Sequence, residues 1–306
     1  MQTARSGFAE PPLITVVVLT HNRCAELMNT LDRLQGLPEK PEIIVVDNAS
    51  TDDTARRLAE RNPPVRVIRR RNNAGAAGRN DGVVAAHTPF VAFADDDSWW
   101  EAGAFRSAIS FLQAYPRVGL LCAELRLSGH GDVDPTCREM AQSPLRTAGL
   151  PQPEILGFLA CAVIIRVEAF LEVGGFEQRF FVGGEEELMA IDLAAAGWQL
   201  VYLDAIRAWH RPSRIRDRAG RHRTVTRNAV WTAWMRLPVG EALHRTKRLL
   251  MTGDLAGTRL QTIVETVRGL PWALRQRRRP HPRVEAMRRQ IGLSQSTAGK
   301  RSNVAE

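Results

Sequence analysis

Short apolar runs alternate with amphipathic stretches along the first hundred residues. Residues 13–19 are a continuous, β-branched apolar run, the pattern of a strand buried on both faces. Polar Thr20-His21-Asn22-Arg23 follows, and then Leu27, Leu31 and Leu34 return at helical spacing. Residues 42–46 read as a second strand, which runs into Asp47 and the polar stretch to Asp53; a helix reaches about Arg61. Residues 65–68 form a third strand, and Asn72-Asn73-Ala74-Gly75 opens a helix through Ala86. Residues 89–94 are a fourth apolar run that ends in Asp95-Asp96-Asp97. Strands and helices in short alternation predict βαβ units and a mostly parallel α/β sheet with helices on both faces. Ligands of such sheets bind outside the carboxyl ends of the strands, where Thr20, Asp47, Asn72 and Asp95 all fall.

The second half is less regular. Residues 118–122 read as a strand, 127–153 as a long Gly-, Pro- and Ser-rich loop, and 160–166 as a strand. A helix starts at Glu185-Glu186-Glu187, runs through Ala196 and stops at Gly197, with a strand over 199–203 and His210 a few residues beyond. From about residue 224 the pattern is helical: Trp231, Trp234 and Leu237 share a face, and 258–276 is amphipathic. The expected division is a flexible leader (1–12), an α/β domain (13–222), a basic helical extension (223–292) and a disordered tail (293–306). The α/β domain is expected to divide into two halves near residue 100.

Charge sharpens this division. The chain of 306 residues carries a formal +9, but residues 1–210 hold 20 Lys+Arg against 27 Asp+Glu, while 211–306 hold 22 against 6. An acidic body with a basic tail suits an anionic membrane surface or a phosphorylated substrate. No zinc-finger spacing or RNA-binding aromatic motif accompanies it, so no nucleic-acid partner is expected. The four cysteines form no CxxC pair, which points to a reduced, cytoplasmic compartment. With no signal pattern and no apolar stretch near the roughly 18 residues of a membrane span, contact with a membrane would be peripheral, at its inner face.

Three carboxylates at a strand end repel one another and need a neutralising cation. A divalent metal suits them, because hard cations favour carboxylates and accept phosphate as a further ligand. A plainer alternative is a solvated turn, with Ser98 capping a helix that begins near Glu101.

The ordered set of motifs resembles the family 2 glycosyltransferases, which have the GT-A fold and transfer sugars from nucleotide donors with inversion. It comprises 16–23, 43–52, Asn72-Asn73-Ala74-Gly75 with Arg79-Asn80, Asp95-Asp96-Asp97, Gly174-Gly175-Phe176 and Gly184-Glu185-Glu186. The likeness covers about residues 13–212 and is nearest to the bacterial branch with rhamnosyl- and galactofuranosyltransferases. The resemblance implies nucleotide-sugar contacts at Thr20, His21, Asn22, Asp47, Asn73, Arg79, Asp95 and Asp96. It implies Mg²⁺ or Mn²⁺ held by Asp97 with Asp95 and His210, and a catalytic base at Glu186, with Glu185 as rival. The family's usual Glu-Asp pair is here part of Glu-Glu-Glu, which adds Glu187 to the candidates. Its implied partners are a nucleoside-diphosphate sugar and a hydroxyl acceptor: a glycan, a lipid-linked intermediate or a small metabolite.

The residues themselves leave alternatives. Asp47 and Asp52 can cap a helix, the three glutamates can be first-turn acids, and His210 can be an ordinary packed histidine. Trp99 and Trp100 can wall a sugar pocket or simply pack. A sugar-phosphate nucleotidyltransferase would need a Gly-rich loop after the first strand, which Thr20-His21-Asn22-Arg23 lacks. An inactive nucleotide-sugar-binding protein would not need the acids intact.

Overall fold

The computed structural model describes residues 12–212, 218–252, 259–279 and 281–302. The expected leader therefore lies, but for Pro12, outside the described residues. Eight strands form one sheet: β1 (Ile14–Thr20), β2 (Glu42–Asp47), β3 (Arg66–Arg69), β4 (Phe90–Asp95), β5 (Ser98–Trp100), β6 (Val118–Leu127), β7 (Val163–Arg166) and β8 (Gln199–His210). The helices are α1 (Cys24–Gln35), α2 (Thr54–Ala59), α3 (Arg79–Ala85), α4 (Ala104–Ala114), α5 (Pro135–Ala141), α6 (Val167–Glu172), α7 (Glu185–Ala195), α8 (Arg218–Arg236), α9 (Val239–Thr252), α10 (Arg259–Arg275) and α11 (Pro282–Ser302).

The strand order is β3-β2-β1-β4-β7-β6-β8-β5. The apolar runs of β1, β2 and β4 pair in parallel and are buried on both faces, as their sequences require. β7 runs antiparallel to both β4 and β6, so the parallel rule of the first half gives way to a mixed second half. α1 turns Leu27, Leu31 and Leu34 into the core, at the spacing seen in the sequence.

Register brings the chemistry together. Thr20 pairs with Asp47, and Leu19 with Asp95, so three strands end level with one another. β8 continues past residue 203, through a bulge, to His210. There β5 pairs with it antiparallel, Ser98 opposite His210, so that His210 stands beside the aspartate turn rather than on a free loop.

Several expectations change. Ser98 does not cap a helix: its Oγ accepts the Asp95 N–H at 2.7 Å and tightens the turn into β5, while α4 starts only at Ala104. The expected loop over 127–153 contains α5, capped by Asp134 with Pro135 in its first turn. The expected strand over 160–166 is a 3₁₀ turn, Ala160–Ala162, followed by β7. The boundary expected at 222/223 falls inside α8. Order does not end at 292 either, because α11 continues to Ser302; buried Val284 and Met287 anchor its first turns, and propagation from a docked turn costs little.

Candidate active site

The first two polar loops are tied together before any ligand enters. Asn22, in the left-handed region at φ 54°, donates its N–H to Ser50 Oγ (2.9 Å) and accepts the Thr51 N–H (2.7 Å). His21 Nδ1 lies 2.9 Å from the Asn48 carbonyl, so it carries the proton there. Asn48 itself clamps the next loop, accepting the Ala74 N–H and donating to Gly75 O. Asn73 accepts the Gly75 N–H at 2.8 Å, which makes it a turn former. Gly75 has φ 59°, and a Cβ there would sit 1.9 Å from Phe181 O, so this loop can reach the loop before α7 only with glycine.

Asp47 is fully buried. One of its oxygens accepts the Ser50 N–H at 2.8 Å. The other, Oδ2, accepts no hydrogen bond among the described residues, and the nearest cation is Arg69 Nε at 3.5 Å. A buried acceptor left open at a strand end suits a ligand N–H.

The aspartate triplet is neutralised from within the chain, where the sequence pointed to a metal. Asp95 pairs with Arg79. Asp96 is buried, accepting from Arg23 Nη1 (2.8 Å) and Thr20 Oγ1 (3.1 Å), while its carbonyl accepts from Thr30. The same Arg23 Nη1 reaches Asp97 Oδ2 at 2.9 Å, and His210 Nε2 lies 3.3 Å from Asp97 Oδ1. The three expected ligands Asp95, Asp97 and His210 therefore do not converge, because Asp95 turns toward Arg79. Among the described residues no three His, Cys, Asp or Glu side chains form a metal cage. Burial pushes the Asp96 carboxyl up to about 7, against the pull of Arg23. Burial works the same way on Asp97, but His210 and Arg23 outweigh it and hold that carboxyl below its ordinary value. Asp97 is thus held ionised beside a nitrogen of His210. A divalent ion that takes only one or two protein ligands, and the rest from phosphate and water, fits that pair.

The glutamates divide differently. Glu187 forms a two-pronged ion pair with Arg245 at 2.5 and 2.8 Å, which removes it as a candidate base. Glu185 is buried, and its Oε2 has no hydrogen-bond partner among the described residues. Its carboxyl is pushed up to about 8, by burial first and then by repulsion from Glu186. Glu186 has partial access to solvent, and burial raises its carboxyl as well, with Asp95 adding repulsion. Burial opposes the charge on Arg79, yet Asp95, Glu185 and Glu186 prevail and hold its pKa above the ordinary arginine value. Arg79 is the buried cation that links the two acid clusters.

Four residues that matter here escaped the sequence reading as site residues: Arg23, Asn48, Asn80 and Asn228. Arg23, Asn48 and Asn80 stood within the family motifs named above. Asn80 holds Phe176 by a reciprocal pair of 2.9 Å bonds. Fully buried Asn228 of α8 donates to the carbonyls of Phe180 and Gly183, which fixes the approach to α7; a polar residue in a basic helix gave no signal of this. Of the two tryptophans, Trp100 packs in the core and Trp99, beneath Arg33, lines a cavity of about 830 Å³ with Trp209 and Arg211. A second cavity of about 440 Å³ is lined by Glu185, Asn80 and Phe176 together with Arg236, Gln276 and Arg278.

The family model for glycosyl transferase family 2 matches residues 15–174, more than half of the chain. The chain belongs to glycosyl transferase family 2. This glycosyltransferase is 26% identical over 233 residues to the N-acetylglucosaminyl-diphospho-decaprenol L-rhamnosyltransferase of Mycobacterium tuberculosis, covering 65% of this chain and 76% of the relative. It is 24% identical to the succinoglycan biosynthesis protein ExoU of Rhizobium meliloti, over 77% of this chain and 72% of that one. The mannosyltransferase PcManGT from Pyrobaculum calidifontis, solved with GDP-Man and Mn²⁺, superposes with a TM-score of 0.56 at 19% identity, covering 94% of this chain and 81% of that one. S. aureus TarS 1-349 in complex with UDP-GlcNAc also gives 0.56, at 17% identity over 90% and 83% of the two chains. The fold of this family 2 enzyme is GT-A, with a helical C-terminal region added.

Proposed function

We propose that this glycosyltransferase moves a hexosyl or deoxyhexosyl group from a nucleoside-diphosphate sugar to a hydroxyl of a lipid-linked acceptor, in a single inverting displacement. The observation that carries this reading is the Glu185–Glu186 pair, two carboxyls raised by burial and facing the Arg79–Asp95 pair. A carboxylate with a raised pKa is matched to taking a proton from an attacking hydroxyl. Glu186, the one with access to solvent, is assigned as base, and Glu185 as its buried neighbour, itself raised by burial and by Glu186.

The level strand ends supply the donor side. Asp47 Oδ2 accepts an N–H of the nucleobase, while Thr20, His21 and Asn22 form the ledge beneath it. Asp97 and His210 would hold Mg²⁺ or Mn²⁺, which would neutralise charge on the departing diphosphate. Asp95 and Arg79 orient the ribose side. Support for the metal comes from the solved neighbours that carry Mn²⁺. Support for a lipid-linked acceptor comes from the rhamnosyltransferase relative, whose name specifies a diphospho-decaprenol substrate. No described helix is long and apolar enough to cross a membrane, which is compatible with a peripheral position on the cytoplasmic face.

The test is transfer from a panel of nucleotide sugars to a polyprenyl-diphospho-sugar, with the product's anomeric configuration read by NMR. Inverted product that forms with Mn²⁺ and not with chelator is expected. Retained configuration, or equal turnover in chelator, would overturn the reading.

A further inference from the structure

Helix α10 is built inside out. Its face toward α8 is small and polar, with Thr262, Thr266 and Ala273 buried. Trp231 of α8 lies flat on that face: its Nε1 donates to Thr266 O at 3.0 Å, and a Cβ on Gly269 would come within 2.0 Å of its ring. The aliphatic side chains point the other way. Leu260, Val264, Val267 and Leu274 are 75%, 36%, 58% and 44% exposed. Their spacing puts all four on one stripe, opposite the buried face. At 1.5 Å per residue the stripe is roughly 20 Å long. A continuous aliphatic strip facing water marks a surface that meets something else.

Charge says what it meets. Arg259, Arg268 and Arg275 are exposed on the same helix, and exposed Arg278 and Arg279 follow it. The single acid of α10, Glu265, is already paired with Arg223 and Arg227 at 3.3 and 3.4 Å. An apolar strip flanked by unopposed arginines is the make-up of a helix that lies in the interface of an anionic bilayer. Position agrees: Gln276 and Arg278, just past the end of α10, line the same cavity as Glu185.

We propose that the outward face of α10 docks on an anionic lipid bilayer, with Leu260, Val264, Val267 and Leu274 in the headgroup layer and Arg268 and Arg275 on lipid phosphates. Docking there would bring a lipid-borne hydroxyl near the cavity that Glu185 lines. The purpose, though not the binding, rests on the lipid-linked acceptor reading above.

The experiment is flotation of the full chain with vesicles of phosphatidylcholine alone and of phosphatidylcholine with an equal part of phosphatidylglycerol. Wild type should float with the anionic vesicles and lose this at high salt. The triple variant Val264→Ser, Val267→Ser, Leu274→Ser should bind roughly tenfold more weakly or worse, with an unchanged circular dichroism spectrum. The pair Arg268→Gln, Arg275→Gln should weaken binding and flatten its salt dependence. The proposal is overturned if wild type stays at the bottom of the gradient, or if the triple variant floats as wild type does. It is also overturned if wild type sediments as a dimer that the triple variant dissolves, since the stripe then faces a second copy. Transfer to a water-soluble acceptor analogue, measured in parallel, separates the readings. Flotation without turnover sinks the proposed activity and spares the surface, whereas turnover without flotation does the reverse.

Discussion

The chain has two runs of three consecutive acids at its site, and the fold treats them in opposite ways. Each member of Asp95-Asp96-Asp97 is met by a cationic or polar partner: Arg79, Arg23 with Thr20, and Arg23 with His210. In Glu185-Glu186-Glu187 only the last has a salt-bridge partner among the described residues, Arg245, and a buried oxygen of Glu185 has no hydrogen-bond partner among them. Pairing fixes charge in place, which suits the holding of a ligand. Leaving carboxyls buried and unpaired raises their affinity for protons, which suits proton transfer.

Substitutions can break that contrast or sharpen it. Glu186→Gln should have the largest effect, lowering turnover by roughly 10²–10⁴-fold while calorimetry still shows donor binding. An active Glu186→Gln beside a dead Glu185→Gln would exchange the two roles. Asp97→Ala should come next, with loss of Mn²⁺ binding by titration in parallel with loss of turnover; full activity in this variant would remove Asp97 from the metal site. Asn228→Ala strips buried carbonyls of their donor and should cost about 1–3 kcal/mol of stability, read as a lower urea midpoint.

Glu185→Gln tests the unpaired state through pH. The folded carboxyl titrates near 8 against an ordinary 4.5, so its contribution to stability is present below 4.5 and lost as pH rises toward 8. The variant should therefore melt higher than wild type above pH 8 and gain nothing at pH 4. Glu187→Gln should do least: its pair with Arg245 is partly exposed and is worth about 0–1 kcal/mol, with turnover unchanged.

The sheet was legible where burial is two-sided. The runs of β1, β2 and β4 allow nothing but buried strands, and with them came the aspartate turn and the order of the loops. β8 was cut short because exposed Asp204 and Arg207 interrupt its apolar run, although the backbone continues through a bulge to His210. α5 was missed inside a polar stretch even though Asp134-Pro135 is a start signal. The candidate site residues could be named by type, but their partners could not. Nothing local tells that Arg23 will turn onto Asp96 and Asp97, because that contact joins residues 74 apart in sequence. The amphipathic pattern of α10 was visible; which side faces inward was not, because it depends on Trp231 lying against Gly269.

The hold of Asn228 on the carbonyls of Phe180 and Gly183 has a consequence in time. The eight strands and the acid pair all leave the ribosome before α8 does. A nascent chain halted after His210 would have its sheet and its glutamates, but the loop that aims them would still lack its anchor. The loop before α7 thus gains its anchor only once α8 is made, after the sheet has had time to form.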